Sequence, residues 1–317
     1  MNRRRFVLAG TTLGLTFASR LGWSAAAADS VRRRFSVDLS PGNIGVSGDL
    51  TEWIALAKKH GFETIQPDAG PWLGKDPGVI REASEALRAA GLRWGAAALE
   101  TEFRRSDEEF RRGLALLPRT AAALRDAGVK RMGTWISPGH RQLPYAENLE
   151  LHARRLREIS GILRDHGLRF GLEYVGTPSL SVHYAQPFVR NLAQVRDLIA
   201  RIDVPGTGVV LDSWHWWTAG DTREALLALR NEDVVAVDLN DAPAGIPLAQ
   251  QQDNQRELPA ATGVIPVKTF VEALLRIDYD GPVRAEPFNR PLNQLGNDEA
   301  CERTAAAIRK AFALAGV

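Results

Sequence analysis

The chain has 317 residues, carries a formal net charge of +2, and draws 44% of its residues from the hydrophobic types. A single cysteine excludes an intrachain disulfide, and the near-neutral charge argues against the clustered basic face that nucleic-acid binding usually requires. After residue 28, no stretch is long and apolar enough to span a membrane as a helix. We therefore expect a protein that does not bind nucleic acid.

The first 28 residues have the layout of an export signal. Arginines precede an apolar stretch that starts at Phe6, and a run of small residues before residue 29 suits a signal peptidase. The pair Arg3 and Arg4 resembles the twin-arginine signal, which carries folded proteins. An uncleaved membrane anchor is the alternative. We predict a twin-arginine-type signal peptide at 1–28, the twin-arginine export machinery as a partner, and a periplasmic mature chain with a formal net charge of −2.

From residue 34 onward, short apolar runs alternate with amphipathic helical stretches. Strands are predicted at 34–40, 62–69, 92–100, 129–137, 168–176, 207–217, 234–241 and 281–289. Helices are predicted at 49–61, 78–91, 117–128, 146–167, 188–202, 222–230, 267–277 and 298–316. The first four helices end in glycine, which readily takes the left-handed conformation at a helix C-terminus.

Eight alternating strand–helix units predict a parallel sheet covered by helices. Eight units match a (β/α)8 TIM barrel, in which functional residues collect at the C-terminal ends of the strands. A doubly wound open sheet is the alternative, but it would normally carry a G-x-G-x-x-G loop after the first strand. The stretch at 40–49 does not follow that pattern. We therefore predict a single α/β domain at 29–317 with the TIM-barrel fold.

Polar residues lie near the end of every predicted strand. In chain order they are Asp38, Gln66, Asp68, Glu100, Trp135, Glu173, Asp212, Asp238 and Glu286. Asp38 and Asp68 are adequately explained as helix caps, whereas each of the last four residues is an acid that interrupts an apolar run. Four carboxylates at one dry barrel mouth repel one another unless a cation or bound protons neutralise them. An all-oxygen set favours Mn²⁺ or Mg²⁺ over Zn²⁺.

Glu173, Asp212 with His215 three residues later, Asp238 and Glu286 together resemble the xylose isomerase-like TIM-barrel superfamily. The resemblance covers nearly the whole mature chain. It is closest to the sugar phosphate isomerase/epimerase branch, which includes ketose 3-epimerases, hydroxypyruvate isomerases and inosose dehydratases. It implies a divalent cation held by the four acids.

The sequence departs from the family at the third of these ligands. Asp238 stands where the family usually has histidine, and Asn240 or Asp241 is an alternative ligand. An additional carboxylate favours Mn²⁺ or Mg²⁺ and weakens the case for Zn²⁺. The chain also lacks the strand-end histidines that hold three zinc ions in the DNA-repair branch of the superfamily, so DNA-repair chemistry is not expected.

The resemblance further implies that Glu173 and Glu286 exchange protons with a keto-sugar or related polyol through an enediolate. It assigns contacts with substrate oxygens to His215 and Arg256, although the loop around Arg256 lacks the Pro-Gly-x-Gly pattern of many members. The implied function is a metal-dependent sugar isomerase or epimerase. A lyase or dehydratase of the inosose or 3-keto-sugar type is one alternative, and a non-catalytic carbohydrate-binding barrel is another.

Other residues are candidates for contact with substrate. His140 follows the fourth strand, and Trp135 and Trp214 offer aromatic faces of the kind that pack against sugar C–H groups. Ordinary packing is the alternative for both tryptophans. His152 lies among charged residues in the middle of a predicted helix, so we expect it to be exposed. Members of the family often form dimers or tetramers, and the resemblance therefore also implies a homo-oligomer.

Overall fold

Nine parallel strands form a nearly closed barrel, with helices packed around its outside. The computed structural model describes residues 32–317, and the signal peptide predicted at 1–28 lies outside them. The predicted α/β TIM barrel is confirmed. Within residues 32–317, no helix combines the length and the hydropathy that a membrane-spanning helix requires.

In chain order the strands are β1 (Ser36–Leu39), β2 (Thr64–Ile65), β3 (Arg93–Trp94), β4 (Ala96–Ala98), β5 (Arg131–Ile136), β6 (Gly139–His140), β7 (Arg169–Tyr174), β8 (Gln186–Pro187), β9 (Thr207–Asp212), β10 (Val234–Asp238) and β11 (Pro282–Arg284). The strands of the barrel follow one another around the sheet in the order β3-β2-β1-β11-β10-β9-β7-β5-β4. The short strands β6 and β8 pair with each other, antiparallel and outside the barrel sheet.

Gly95 separates β3 from β4, so the two edges of the sheet belong to one continuous stretch of chain. β3 pairs with β2 on one side, and β4 pairs with β5 on the other. A side chain at Gly95 would collide with the carboxylate of Asp38 inside the barrel. Glycine therefore lets the third predicted strand close the barrel while a buried acid occupies the interior.

The helices cover the outer face of the barrel. They are α1 (Leu50–His60), α2 (Pro77–Ala89), α3 (Asp107–Ala127), α4 (Tyr145–Asp165), α5 (Pro178–Ser181), α6 (Leu192–Ile202), α7 (Ser213–Ala219), α8 (Arg223–Leu227), α9 (Val267–Arg276), α10 (Arg290–Asn293) and α11 (Asn297–Leu314). The main difference from the prediction is α3, which begins ten residues before 117. A capping box between Ser106 and Glu109 starts this helix, and it continues through Pro118.

Small side chains fill the middle of the barrel. Ala96, Val210 and Ala236 form a buried apolar cluster there. Cβ atoms at Gly133 and Gly171 would lie 2.9 and 2.8 Å from the Val210 side chain, so only glycine fits beside it. Because side chains alternate along a strand, residues two positions beyond this layer also point inward, at the C-terminal mouth.

Candidate active site

Strand register brings the four predicted acids to the same mouth. Glu173 on β7 is the register partner of Val210 on β9, and Asp212 is the partner of Asp238 on β10. Glu286 lies two residues beyond Arg284, which is the partner of Asp238 on β11. Partners on adjacent parallel strands face the same side of a sheet, so these carboxylates converge at the interior of the barrel.

Three of the carboxylates are close enough to share one cation, and Glu173 also lies close to Asp212. Glu173, Asp238 and Glu286 each present an oxygen within 4.8 Å of the others, and Glu173, Asp212 and His215 form a second such group. Among the described residues, no protein group hydrogen-bonds to Oε1 of Glu173, although this atom is buried. An unpartnered buried carboxylate oxygen among other oxygen donors fits a divalent cation.

Burial gives these acids unusual proton affinities. Burial, followed by the charges of neighbouring acids such as Glu286, raises the pKa of Glu173 well above its usual range. Burial and the charge of Asp238 raise the pKa of Glu286 to about 8. Burial also raises the pKa of Asp212 to about 6, although the positive charge of Arg256 opposes the shift. Carboxyl groups with such pKa values can exchange protons near neutral pH.

Arg256 lies fully buried in the centre of the site. Its Nη1 donates to Oδ2 of Asp212 at 2.7 Å and to Oε2 of Glu286 at 3.3 Å. Its Nη2 donates to Oδ1 of Asp253 at 3.0 Å. Burial alone would lower the pKa of Arg256, but the charges of Asp212 and Asp253 outweigh it and raise the pKa above its usual range. Arg256 is therefore a permanent cation in contact with two of the predicted metal ligands.

His215 stands beside Arg256 as a neutral imidazole. Burial and the charge of Arg256 lower the pKa of His215 to about 3. Its Nε2 lies 3.2 Å from Nη2 of Arg256, and its Nδ1 lies 3.2 Å from the backbone N–H of Gly176. A neutral imidazole has one acceptor nitrogen, so one of these two contacts is a hydrogen bond in a given tautomer. His215 therefore accepts from either the loop or the arginine, according to its tautomer.

Asp238 occupies the position where the family usually has histidine, and the structure pairs it with an arginine. Nε and Nη2 of Arg284 donate to the two oxygens of Asp238 at 2.6 and 3.1 Å. This bidentate pair is buried, since Asp238 is 1% and Arg284 13% exposed at the side chain. The arginine therefore offsets the extra negative charge that aspartate brings in place of histidine.

Asn240 and Asp241, the two alternatives for the third ligand, make other hydrogen bonds. Asn240 donates to Oδ1 of Asp212 at 3.0 Å and accepts the backbone N–H of Glu286 at 2.9 Å. Asp241 accepts four backbone N–H groups, from Ala242, Thr262, Gly263 and Ile265. Asn240 therefore holds two acids in place and Asp241 anchors a loop, which leaves Asp238 as the acid that faces the mouth on β10.

The remaining candidates lie around this centre. Trp214 has no exposed surface; its Nε1 donates to Thr177 at 2.8 Å, and its ring lies 5.5 Å from the Arg256 guanidinium. It therefore packs against Arg256, and its contact with substrate stays a prediction. Trp135 and His140 line a separate cavity beside the carboxylates. Nδ1 of His140 accepts two backbone N–H groups of its own loop.

Arg284 and Asp253 are the site residues that sequence reasoning missed. Arg284 is the last residue of β11, two positions before Glu286, so alternation alone indicated that it points inward. Asp253 lies in an irregular loop, where no periodicity indicates the direction of a side chain. His152 was expected to be exposed, but only 2% of its surface is, because it packs between Phe103 and Phe188.

Comparisons with known proteins agree with this fold. The xylose isomerase-like TIM barrel family matches residues 54–311 of the chain. An inosose isomerase from Bacillus velezensis is 24% identical over 274 residues, which cover 84% of this chain and 94% of the relative.

Two solved structures resemble the chain closely. A xylose isomerase domain protein from Alicyclobacillus acidocaldarius has a TM-score of 0.78 and 27% identity, covering 89% of this chain and 100% of the other. The IolI protein with a bound zinc atom has a TM-score of 0.73 and 19% identity, covering 87% of this chain and 98% of the other. The chain belongs to the xylose isomerase-like TIM barrel family.

Proposed function

We propose that the protein is a divalent-cation-dependent isomerase or epimerase that acts on a keto-sugar or a related polyol. The observation that carries the proposal is the pair Glu173 and Glu286, two half-buried carboxyl groups with raised pKa values at one barrel mouth. The similarity to an inosose isomerase supports the same class of reaction.

The two glutamates suit opposite halves of a proton transfer. One carboxylate removes the proton from the carbon next to a carbonyl group, and the other carboxyl group returns a proton. Return to the same carbon from the opposite face gives an epimer, and return to the neighbouring carbon gives an isomer. Burial raises the pKa of both groups, and that of Glu286 to about 8, which favours a bound proton on these carboxyl groups.

The other residues of the site orient the substrate and balance charge. Glu173, Asp212, Asp238 and Glu286 would hold the cation, for which their oxygen donors favour Mn²⁺ or Mg²⁺. When bound, the cation supplies stabilisation of the negative charge that develops on substrate oxygens. Arg256 is a fixed donor in the same place, and neutral His215 can donate to or accept from a hydroxyl group.

Solvent-deuterium NMR tests the proposal. The purified protein is incubated with Mn²⁺ and a panel of keto-sugars and inososes in D₂O, and we expect deuterium at a single carbon next to the carbonyl group. Glu173→Gln and Glu286→Gln should each abolish this exchange while ligand still binds. A lyase would instead yield an enone, and a non-catalytic carbohydrate-binding barrel would bind ligand without any exchange.

Metal analysis is the companion test. We expect the purified protein to contain a divalent cation, and added Mn²⁺ to raise its unfolding temperature, because a ligand that binds only the folded state stabilises it. Protein without a cation that Mn²⁺ also fails to stabilise would contradict the metal-dependent part of the proposal.

We further propose that residues 1–28 export the protein to the periplasm through the twin-arginine machinery. The proposal rests on the arginine pair and the apolar stretch after it. Fractionation of bacterial cells, with N-terminal sequencing of the periplasmic product, tests it. Replacing Arg3 and Arg4 together by lysine should retain the protein in the cytoplasm, and unaltered periplasmic yield would contradict it.

A further inference from the structure

A cavity of about 620 Å³ lies beside the carboxylates at the same end of the barrel. The loops that follow β4, β5 and β7 form its walls, together with the first turns of α4. Trp135 belongs both to this cavity and to β5, where it is the register partner of Glu173. Adjacent strands lie about 4.8 Å apart, so the cavity adjoins the proposed reaction centre.

Two buried hydrogen-bond acceptors line this cavity without a partner. They are Nε2 of His152 and Oδ1 of Asn148, one turn apart on α4, and each residue is 2% exposed. Within residues 32–317, no protein group makes a hydrogen bond to either atom. Buried polar atoms in folded proteins almost always have a partner, so these two indicate a ligand that comes to them.

The protonation of His152 defines what that ligand must offer. Its Nδ1 lies 2.9 Å from the backbone oxygen of Asn148, which can only accept, so Nδ1 carries the proton. Burial and the charges of Arg104 and Arg155 lower the pKa of His152 to about 4, which keeps the ring neutral. Nε2 therefore presents a lone pair, and its partner must donate a hydrogen bond.

This requirement makes an anionic group a poor direct partner for these two atoms. Carboxylate and phosphate oxygens are acceptors and would face two further acceptors. Three arginines line the cavity, and Arg104, the one next to Trp135, has its nitrogens committed to Glu102, Thr134 and the backbone oxygen of Trp135. A ligand with hydroxyl groups satisfies both acceptors without demanding a free cation.

Trp135 supplies an aromatic surface for the same ligand. Its indole is 45% exposed, although one ring face is covered by the Arg104 guanidinium at 4.2 Å. An exposed indole that is held in place by an arginine offers a rigid platform for the C–H face of a sugar ring. Hydroxyl donors on one side and C–H groups on the other describe a pyranose or furanose unit.

We propose that this cavity is a subsite for a second, uncharged sugar unit, so that the substrate is a glycoside of the keto-sugar rather than the free monosaccharide. The inference rests on the proposed function for the position of the reacting unit. Hydroxyl groups of the second unit donate to His152 and Asn148, and its apolar face packs on Trp135.

Ligand binding to the full-length protein tests the subsite. D-fructose is compared with lactulose and isomaltulose, two neutral glycosides of fructose, in the presence of diamagnetic Mg²⁺, with the histidine ring nitrogens labelled with ¹⁵N. We expect at least one glycoside to bind about tenfold more tightly than fructose, as one or two new hydrogen bonds imply. The Nε2 resonance of His152 should move with that glycoside and stay in place with fructose.

Two variants of one helix provide the matched comparison. His152→Leu removes the acceptor but keeps an apolar side chain between the phenylalanines, and should reduce the glycoside-to-fructose affinity ratio to about two. His166→Leu removes a ring with the same Nδ1-to-carbonyl contact about 21 Å farther along α4, and should leave the ratio unchanged. If His152→Leu does not fold, Trp135→Ala replaces it, because the indole is half exposed.

Equal affinity for fructose and both glycosides, or a His152 resonance that no glycoside moves, overturns the subsite and leaves water as the occupant of the cavity. Deuterium exchange in the same samples separates this outcome from failure of the proposed function. Exchange without glycoside preference overturns the subsite alone. Glycoside binding that moves the His152 resonance, without exchange in any sugar, supports the subsite and overturns the proposed function.

Discussion

Both ends of the barrel interior contain charged residues, but the two ends differ in how many of these residues have hydrogen-bond or ion-pair partners. At the N-terminal end, Nη1 of Arg131 donates to the Val235 oxygen at 3.0 Å and its Nη2 to Asp280 at 2.6 Å. Its register partner Arg169 donates to the backbone oxygens of Glu232 and Val234. At the C-terminal mouth, the buried acids outnumber the arginines that contact them, and a Glu173 oxygen has no partner among the described residues.

The difference separates the charges at the N-terminal end, which maintain the fold, from the charges at the C-terminal mouth, for which we propose a ligand. A buried charge is stable when hydrogen bonds and an opposite charge surround it, as at the N-terminal end. The mouth keeps excess acid in a place that burial makes unfavourable, which raises the pKa values of Glu173, Asp212 and Glu286. A protein keeps such a cluster for binding or catalysis rather than for stability.

The largest expected effect is on the exchange rate and comes from a substitution at the C-terminal mouth. Glu173→Gln should lower the rate of deuterium exchange into substrate by about a thousandfold or more, because a positioned acid–base group is lost together with a cation ligand. The unfolding temperature of the cation-free protein should fall little or rise, because the substitution removes a buried carboxyl group that lacks a partner. Exchange kinetics and thermal unfolding of the same preparation measure both quantities. Retained exchange would show that Glu173 is not a catalytic residue.

The next effect is on the free energy of unfolding and comes from a substitution at the N-terminal end. Arg131→Met should lower the free energy of unfolding by about 2 to 3 kcal/mol, because Asp280 and two backbone oxygens lose their donor. Exchange by the folded variant should stay near the wild-type rate, since Arg131 lies at the opposite end of β5 from Trp135. Chemical denaturation and exchange kinetics check the prediction. A catalytic loss without a loss of stability would contradict the separation of the two ends.

The pH dependence of stability sharpens the contrast. Glu286 and Asp212 have folded-state pKa values of about 8 and about 6, raised from 4.5 and 3.8. Their protonated forms favour the folded state at low pH, and this stability is lost as pH rises through the folded-state values. The free energy of unfolding of the cation-free protein should therefore fall steadily as pH rises from 5 to 8. Saturating Mn²⁺ should remove or reverse this slope, and a slope that Mn²⁺ leaves unchanged would argue against binding by these acids.

Local patterns predicted much of the fold and part of the site. Alternating periods of two and 3.6 residues predicted the barrel, and alternation within strands placed Glu173 and Asp212 at its mouth. The pairing of Asp238 with Arg284 depends on the register between β10 and β11, which a single sequence does not contain. The burial of His152 depends on packing between α4 and distant loops, so the charges around it in the sequence were misleading.

The smallest effect concerns the pair that replaces the family histidine. Asp238 with Arg284 carries no net charge, as a neutral histidine would, so the two residues should act on cation affinity as one unit. Asp238→His alone leaves a buried arginine unpaired beside the cation ligands, and should weaken Mn²⁺ binding about tenfold. Adding Arg284→Met should restore most of that affinity and shift preference toward Zn²⁺, because an imidazole nitrogen replaces an oxygen. Isothermal titration with both metals measures the cycle. Strictly additive effects of the two substitutions would mean that Arg284 does not neutralise Asp238, and that the excess acid of the mouth is larger by one charge.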